Sequence, residues 1–338
     1  MRRALLMFIA CTAAARAQTG IETCKAIAFD VDAVACYARL IDTGSLGSDA
    51  LAKAHLARGR IYAMDLVEPG FALADLNALI RRKPKLAEAY RLRGFVHYGL
   101  GQYAGALADF DKAIALQPPS AEAAYMRAET LFETRKYDSA IAAYAKAVAL
   151  RPALAESLGY RREDARQLSQ LFAPAVLAKA DDDTLVKPGD DISAAIAGCN
   201  GASPAKDVPA TLRCAKLMLT MAEYEDAVLN FRLAFPVPGE DWEINRGHGK
   251  SAQGLIFGAA DACDRLVKMR PDMAEAWYVR GRVGYRSSEK SSADLDRAIS
   301  LKPDYAEAHI LRAIVKHEAH DAAGAKADAE KARQILGR

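Results

Sequence analysis

Residues 87–118 read AEAYRLRGFVHYGLGQYAGALADFDKAIALQP, and residues 121–152 read AEAAYMRAETLFETRKYDSAIAAYAKAVALRP. The second stretch repeats the first 34 residues later, with small, aromatic and proline positions in the same register. The matching positions are Gly94 and Ala128, Tyr103 and Tyr137, Ala106 and Ala140, Phe110 and Tyr144, and Pro118 and Pro152. This period predicts two short antiparallel helices per unit, the second ended by the proline.

Further copies of the unit occur on both sides of this pair. The opening Ala-Glu-Ala triplet returns at residues 274–276 and 306–308. Weaker copies are predicted around residues 58–84, from about Val208 and from about Glu240. Because one unit cannot bury its own apolar face, stacked units must share a continuous core. The sequence therefore predicts an all-α, right-handed superhelical solenoid of helix-turn-helix repeats in two blocks, with a long concave surface.

The 34-residue spacing, and the residue types that recur at the same positions of each unit, resemble the tetratricopeptide repeat (TPR). The resemblance implies a groove, formed by the first helices, that holds an extended peptide or a partner helix. Members that clamp the C-terminal carboxylate of cytosolic chaperones use a Lys/Asn set on consecutive first helices. This chain has Arg91 with Phe95 and Tyr125 with Glu129 at those places, which disfavours the chaperone-clamp role.

The first 17 residues have the layout of a secretory signal peptide. Arg2 and Arg3 precede an uncharged run over residues 4–15 that is too short to span a bilayer, and Ala15-Arg16-Ala17 forms an A-x-A site. Cleavage is predicted after Ala17, which indicates a periplasmic or secreted protein. Lipid attachment at Cys11 is the alternative.

The remaining organisation follows from where the 34-residue period holds and where it breaks. We predict a cysteine-containing N-terminal cap over residues 18–48, a block of three repeats over 49–154, a capping helix and linker over 155–206, and a block of about four repeats over 207–338. In an oxidising compartment the cysteines are read first as disulfide partners. Their spacing favours Cys24–Cys36 and Cys199–Cys214 with Cys263 as a buried thiol, although the odd number leaves other pairings open.

The amino-acid composition and net charge limit the classes of partner that can be expected. The chain has 338 residues, of which 51% are hydrophobic and 26% charged, an ordinary balance for a globular protein. Loss of Arg2, Arg3 and Arg16 with the signal peptide leaves 43 basic and 43 acidic residues. No basic excess then remains for nucleic acid or anionic lipid, and no membrane insertion is expected after cleavage. A protein or peptide partner is predicted, and self-association through the groove is an alternative.

A row of aromatic and charged residues is predicted on the concave face. Positions one, four, eight and eleven residues after the opening alanine of a first helix share one side of that helix. Both a recognition surface and core packing fit aromatics at this spacing. The predicted partner-binding groove consists of Arg91, Phe95, Tyr98, Tyr125, Glu129, Phe132, Tyr278, Arg282 and Tyr285.

A second recurring pattern predicts ion pairs inside the repeats. An arginine precedes the small residue of the first helix, and an aspartate stands at the matching place in the second helix. The expected pairs pin one helix to the other and take no part in recognition: Arg58 with Asp75, Arg93 with Asp109, Arg280 with Asp294, and Arg312 with Asp328.

The sequence offers no clear catalytic or metal motif, so a non-enzymatic adaptor without cofactor is predicted. Gly249-Lys250-Ser251 lacks the first glycine of a phosphate loop, since position 244 is Ile. His317 and His320 are three residues apart, where a zincin helix needs four. The alternative is an enzyme or enzyme-activating subunit with a site around residues 240–260, where Arg246, His248, Lys250 and Ser251 cluster.

Overall fold

The structure is a computed structural model that describes residues 19–27, 30–44, 46–172, 185–201, 207–235, 252–284 and 288–337. Helices make up nearly all of these residues, and none of them is in a strand. The chain is an all-α helical repeat solenoid. The predicted signal peptide lies outside the described residues.

The first half consists of a cap and three helix pairs. A helical segment over residues 19–25 (α1) and α2 (Asp30–Asp42) form the cap. The pairs are α3 (Ser48–Met64) with α4 (Pro69–Arg82), α5 (Ala87–Gly99) with α6 (Tyr103–Leu116), and α7 (Ala121–Glu133) with α8 (Tyr137–Leu150). A 3₁₀ turn at Pro152–Leu154 leads into α9 (Ala155–Phe172), the predicted capping helix.

The second half begins with α10 (Ile192–Gly201) and α11 (Val208–Ala234). It continues with α12 (Ala252–Met269), α13 (Ala274–Val283), α14 (Ser288–Leu301), α15 (Ala306–Glu318) and α16 (Ala322–Leu336). Helices α13 with α14 and α15 with α16 are the repeats that open with Ala-Glu-Ala.

In the four helix pairs α3–α4, α5–α6, α7–α8 and α15–α16, the turn contains one left-handed residue. Val67, Gly101, Arg135 and His320 have φ angles of 53°, 71°, 60° and 62°, and each stands two residues before the second helix of its pair. A left-handed residue reverses the chain because it breaks the helical dihedral sequence. Across the turn the helices approach closely at the small positions: a Cβ on Gly94 would lie 3.0 Å from the Phe110 ring.

Helix α11 departs from the predicted repeat. A helix-turn-helix unit was expected from about Val208, with Tyr224 opening its second helix, but the chain forms one helix of 27 residues. The turn position, two residues before Tyr224, is Ala222, and the neighbours Leu219, Met221 and Glu223 also favour helix. The helix therefore runs through the position where the other repeats turn.

The predicted ion pairs within repeats are confirmed. Arg93 donates two hydrogen bonds to the Asp109 carboxylate, at 2.8 and 2.7 Å, and the other three pairs have the same two-bonded geometry. Three of these arginines also reach the preceding helix pair: Arg93 donates to Asn77 at 2.7 Å, Arg280 donates to Asp264 at 3.1 Å, and Arg312 donates to Asp296 at 2.6 Å. Each such arginine therefore ties three helices together.

The two halves meet face to face, which differs from the long open groove that was expected. Helix α11 packs against α5 on the concave side of the first block. At the other end, α9 packs against α16, and one buried cluster joins Leu168 and Phe172 of α9 to Ile310 and Ala313 of α15. Arg135 and Glu307 add an ion pair of 2.6 Å across this contact. The concave faces of both blocks are therefore turned inward.

Two cysteine pairs each join neighbouring helices: Cys24–Cys36 joins α1 to α2 within the cap, and Cys199–Cys214 joins α10 to α11. The structure places the sulfur atoms of Cys24 and Cys36 at 1.99 Å and those of Cys199 and Cys214 at 2.07 Å, the pairings favoured by spacing. Glu68 accepts hydrogen bonds from the Ile192 and Ser193 amides at the start of α10, at 2.9 and 3.0 Å. The start of the second half is thus bonded to the first.

Candidate functional site: a cleft between the two halves

Two adjoining cavities lie where the concave faces meet, and together we call them the central cleft. The larger has a volume of about 730 Å³ and the smaller about 440 Å³. They share the side chains of Glu133, Arg161, Glu223 and Arg282. Volumes of this size are typical of ligand sites in proteins.

Six of the nine predicted groove residues line the central cleft. Tyr98, Tyr125 and Glu129 line the larger cavity, Phe132 and Tyr278 line the smaller one, and Arg282 lines both. The fold therefore brings together, from both halves of the chain, residues that were selected by their helical spacing alone.

Phe95 does not belong to the accessible part of the groove. Its side chain is 2% exposed and packs against Tyr224 and Phe231 of α11, with ring centroids 6.1 and 5.2 Å apart. The expectation that Phe95 faces solvent is wrong, because the chain's own α11 covers this part of the concave face.

Arg91 and Tyr285 also fall outside the central cleft as described. Arg91 lines a separate cavity of about 330 Å³ and pairs with Glu122 at 3.0 Å and Glu88 at 3.7 Å. Tyr285 lies outside the described residues.

A buried carboxylate organises the wall of the larger cavity. Glu129, 6% exposed, accepts a hydrogen bond from the Tyr144 hydroxyl at 2.7 Å and pairs with Arg161 at 2.6 Å. Arg161 also lies over the Phe132 ring, 4.1 Å from its centroid. Burial opposes the charge on Arg161, but Glu129 outweighs it, and the pKa of Arg161 lies above its ordinary value. Arg161 is therefore a fixed cation in the cleft.

Two tyrosine hydroxyls in the larger cavity have no hydrogen-bond partner within the described part of the chain. Tyr125 is 8% exposed and stacks edge-on against Phe235, while Tyr98 contacts the ring of Tyr103. Burial raises the pKa of both phenols above the ordinary value of tyrosine. Both hydroxyls are therefore protonated near neutral pH and able to donate a hydrogen bond to a ligand.

The opposite wall comes from α11 and α13. Glu223, Asp226 and Asn230 of α11 line the larger cavity, and Arg282 of α13 donates to Glu223 at 2.7 Å. Sequence reasoning missed Glu223, Asp226 and Arg161. No local signal separates α11 from a repeat, because the turns of other repeats are formed by residues such as Val67 and Arg135.

The remaining motifs singled out in the sequence form no second site within the residues that the structure describes. The cluster of Arg246, His248, Lys250 and Ser251 lies outside the described residues. His317 contacts Gln167 at 3.3 Å, and no group of metal-ligating side chains occurs among the residues whose placement is described. Burial raises the pKa of the Cys263 thiol to about 12, so it is not a reactive thiolate. Within the described ranges, no helix is long and apolar enough to span a membrane.

Comparison with known proteins identifies the repeats. Family models described as tetratricopeptide repeat match residues 69–129, 121–154 and 245–293. No curated protein matches the chain.

Among solved structures, YrrB, "a TPR protein with an unusual peptide-binding site", is 16% identical, with 80% of this chain and 95% of that chain covered and a TM-score of 0.30. A TPR protein from Parabacteroides merdae ATCC 43184 is 14% identical, with coverages of 88% and 98% and a TM-score of 0.38. The matches to three repeat models, over residues 69–154 and 245–293, show that this chain contains tetratricopeptide repeats.

Proposed function

We propose that the protein is an exported, non-enzymatic adaptor that holds a segment of a protein or peptide partner in the central cleft. TPR repeats support a role in protein interaction. The single observation that carries the finer proposal is the convergence of predicted groove residues from both blocks on one cleft: Tyr98, Tyr125 and Glu129 from one side and Tyr278 and Arg282 from the other.

The chemistry of the cleft supports an extended peptide as the occupant. A peptide backbone offers carbonyl acceptors to the hydroxyls of Tyr98 and Tyr125, which lack partners within the described chain. The aromatic side chains of Phe132 and Tyr278 offer apolar contact area in the adjoining cavity. Aromatic anchors beside hydrogen-bonding groups are typical of binding hot spots.

Selection of 12-residue peptides from a random display library on the immobilised full chain tests this proposal. We expect enriched peptides whose affinity falls about 30-fold when both hydroxyls are removed in the Tyr98→Phe, Tyr125→Phe double variant, because each of the two lost hydrogen bonds is worth about 1 kcal/mol. Tyr160→Phe is the matched control, since Tyr160 is 74% exposed and lines neither cavity. Failure to enrich any peptide, or equal affinity for the double variant, contradicts the proposal.

Export has independent support in the two cysteine pairs at bonding distance, which suit an oxidising compartment. We expect the chain expressed in a bacterial host to accumulate in the periplasm with Gln18 as its first residue. N-terminal sequencing of the fractionated protein checks both points. Recovery of an uncleaved chain in the cytosol would contradict export.

A further inference from the structure

The charge of the central cleft adds a constraint on the occupant. Among the described residues, the larger cavity is lined by four carboxylates and two guanidinium groups: Glu129, Glu133, Glu223 and Asp226, with Arg161 and Arg282. Carboxylates in a cleft with low-dielectric walls focus a negative potential that attracts cations.

Carboxylates within the cleft itself already pair with both arginines. Arg161 contacts Glu129 at 2.6 Å and Glu133 at 3.7 Å, and Arg282 contacts Glu223 at 2.7 Å. An incoming anion would therefore compete with carboxylates that already hold both cations. An incoming cation meets an excess of negative charge.

The smaller cavity is also lined by more carboxylates than guanidinium groups among the described residues. It adds Asp164 and Glu318 on the acidic side and Arg135 on the basic side. Arg135 is paired with Glu307 at 2.6 Å. Over the described lining of the whole central cleft, carboxylates outnumber guanidinium groups by six to three.

The phenols supply an observation that does not depend on charge. Tyr125 is more than nine-tenths buried and lines the larger cavity, and its hydroxyl has no protein partner in the described chain. A phenol that lines a cavity without a partner in the described chain can donate a hydrogen bond to a group that a ligand supplies. A peptide carbonyl can accept this bond while a neighbouring side chain of the same peptide reaches the carboxylates.

We propose that the occupant of the central cleft is a basic peptide segment, with a lysine or arginine side chain placed among Glu133, Glu223 and Asp226 and a backbone carbonyl bonded to Tyr125. This inference rests on the proposed function, since it names the class of peptide that the same cleft selects.

The peptides enriched by display on the full chain provide the test. We expect them to be enriched in Lys and Arg and depleted in Asp and Glu, and their affinity to fall at higher ionic strength because exposed charges are screened. A double-mutant cycle then locates the cation. Lys→Gln or Arg→Gln in the best peptide and Asp226→Asn in the protein should each weaken binding about tenfold, and the combined loss should be smaller than the product of the two.

A second protein variant guards against a general charge effect. Asp304→Asn with Glu330→Gln removes two carboxylates that are exposed and line neither cavity, so this variant should bind the basic peptide as the unchanged chain does. Circular dichroism confirms that each variant keeps its helices.

The possible outcomes separate the two proposals. Enrichment of acidic or neutral peptides that still depend on Tyr98 and Tyr125 overturns the basic-peptide inference and leaves the peptide-binding function standing. Additive losses in the cycle also overturn the inference, because they show that the cation does not contact Asp226. Failure to enrich any peptide overturns both.

Discussion

At the scale of single residues, buried ion pairs hold the two helices of a repeat together, and their contribution to the free energy of unfolding can be measured. Asp109 is 4% exposed and receives two hydrogen bonds from Arg93. Its replacement in Asp109→Ala leaves a partly buried guanidinium without its main partner, so we expect a loss of about 3 kcal/mol in the free energy of unfolding. Peptide affinity should not change, because Asp109 does not line the central cleft.

Asp111 is the matched control for this measurement. It pairs with Arg127 at 2.6 Å, but its side chain is 58% exposed. Asp111→Ala should therefore lower the free energy of unfolding by less than about 1 kcal/mol in urea titrations. Equal losses for the two variants, or a large loss of peptide affinity in Asp109→Ala with unchanged stability, would show that the ion pair does not act as a clamp.

A second residue-scale prediction concerns the contact that holds the end of α11. Arg232 donates to the Met64 carbonyl at 3.0 Å and to the Asp65 carboxylate. Burial raises the pKa of Asp65 to about 6 in spite of the Arg232 charge. The folded protein therefore binds this proton more tightly than the unfolded chain, whose aspartates have a pKa of about 3.9.

The resulting contribution to stability is fully present below about pH 4 and is lost as the pH rises through 6. The side chain introduced in Asp65→Asn does not titrate, so this variant lacks the pH-dependent contribution. We expect the free energy of unfolding of the unchanged chain to fall relative to that of Asp65→Asn by roughly 2–3 kcal/mol between pH 4 and pH 7. Urea unfolding of both proteins across this range measures the difference, and a constant difference would contradict the prediction.

At the scale of elements, the helix boundaries could be predicted where a residue has a local effect on the backbone. The first helices α5, α7, α13 and α15 begin at the alanine of Ala-Glu, and the second helices α6, α8 and α14 end two residues before a proline. The residue before a proline avoids the helical region, so such an end is readable from sequence. Tyr224, Ala227 and Phe231 match a second helix equally well, but they cannot reveal whether a turn precedes them.

The docking of α11 against α5 gives an element-scale prediction. A Cβ added at Gly99 would lie 2.4 Å from the Tyr224 ring, and the Tyr224 hydroxyl donates to the Ala63 carbonyl at 2.9 Å. Gly99→Ala should therefore push α11 away from the concave face, and we expect a loss of about 1–3 kcal/mol in the free energy of unfolding.

Gly159→Ala is the control for a change of the same size. Gly159 lies inside α9, and no atom lies within 4 Å of a Cβ built there. Alanine favours the helix over glycine, so this variant should gain about 0.5–1 kcal/mol. Thermal and urea unfolding of both variants decide the matter: a gain for Gly99→Ala would show that α11 does not lie against α5.

At the scale of the whole molecule, the repeat pattern predicts the solenoid but not how its concave faces are covered. The spacing predicted Phe95 and Tyr125 on the concave side. The covering groups are Phe231 of α11, Phe235 directly after that helix, and Leu168 of α9. Helix α11 forms one long helix instead of a repeat, and α9 follows the first block. Contacts between a repeat and a segment outside the repeats leave no periodic signal, so only the three-dimensional structure reveals the closed cleft.

The contact of α9 with the last repeat determines whether the molecule is compact or extended in solution. Leu168 of α9 is 9% exposed, lines the smaller cavity and shares a buried cluster with Ile310 and Ala313. A compact chain of about 320 residues has a radius of gyration of about 20 Å. We expect small-angle scattering of the mature monomer to give a value near this.

A charge placed in that contact should open the molecule. Leu168→Glu buries a carboxylate among apolar side chains, which is unfavourable unless the contact separates. We therefore expect the radius of gyration to rise by several ångströms, on the order of the change from a compact to an extended stack, with unchanged helicity. Tyr160→Glu places the same charge on the exposed side of α9, where Tyr160 is 74% exposed, and should leave the radius unchanged. If Leu168→Glu matches Tyr160→Glu, or if the unchanged monomer already scatters as an extended particle, the two halves do not enclose a cleft in solution, and a partner would meet two separate concave surfaces.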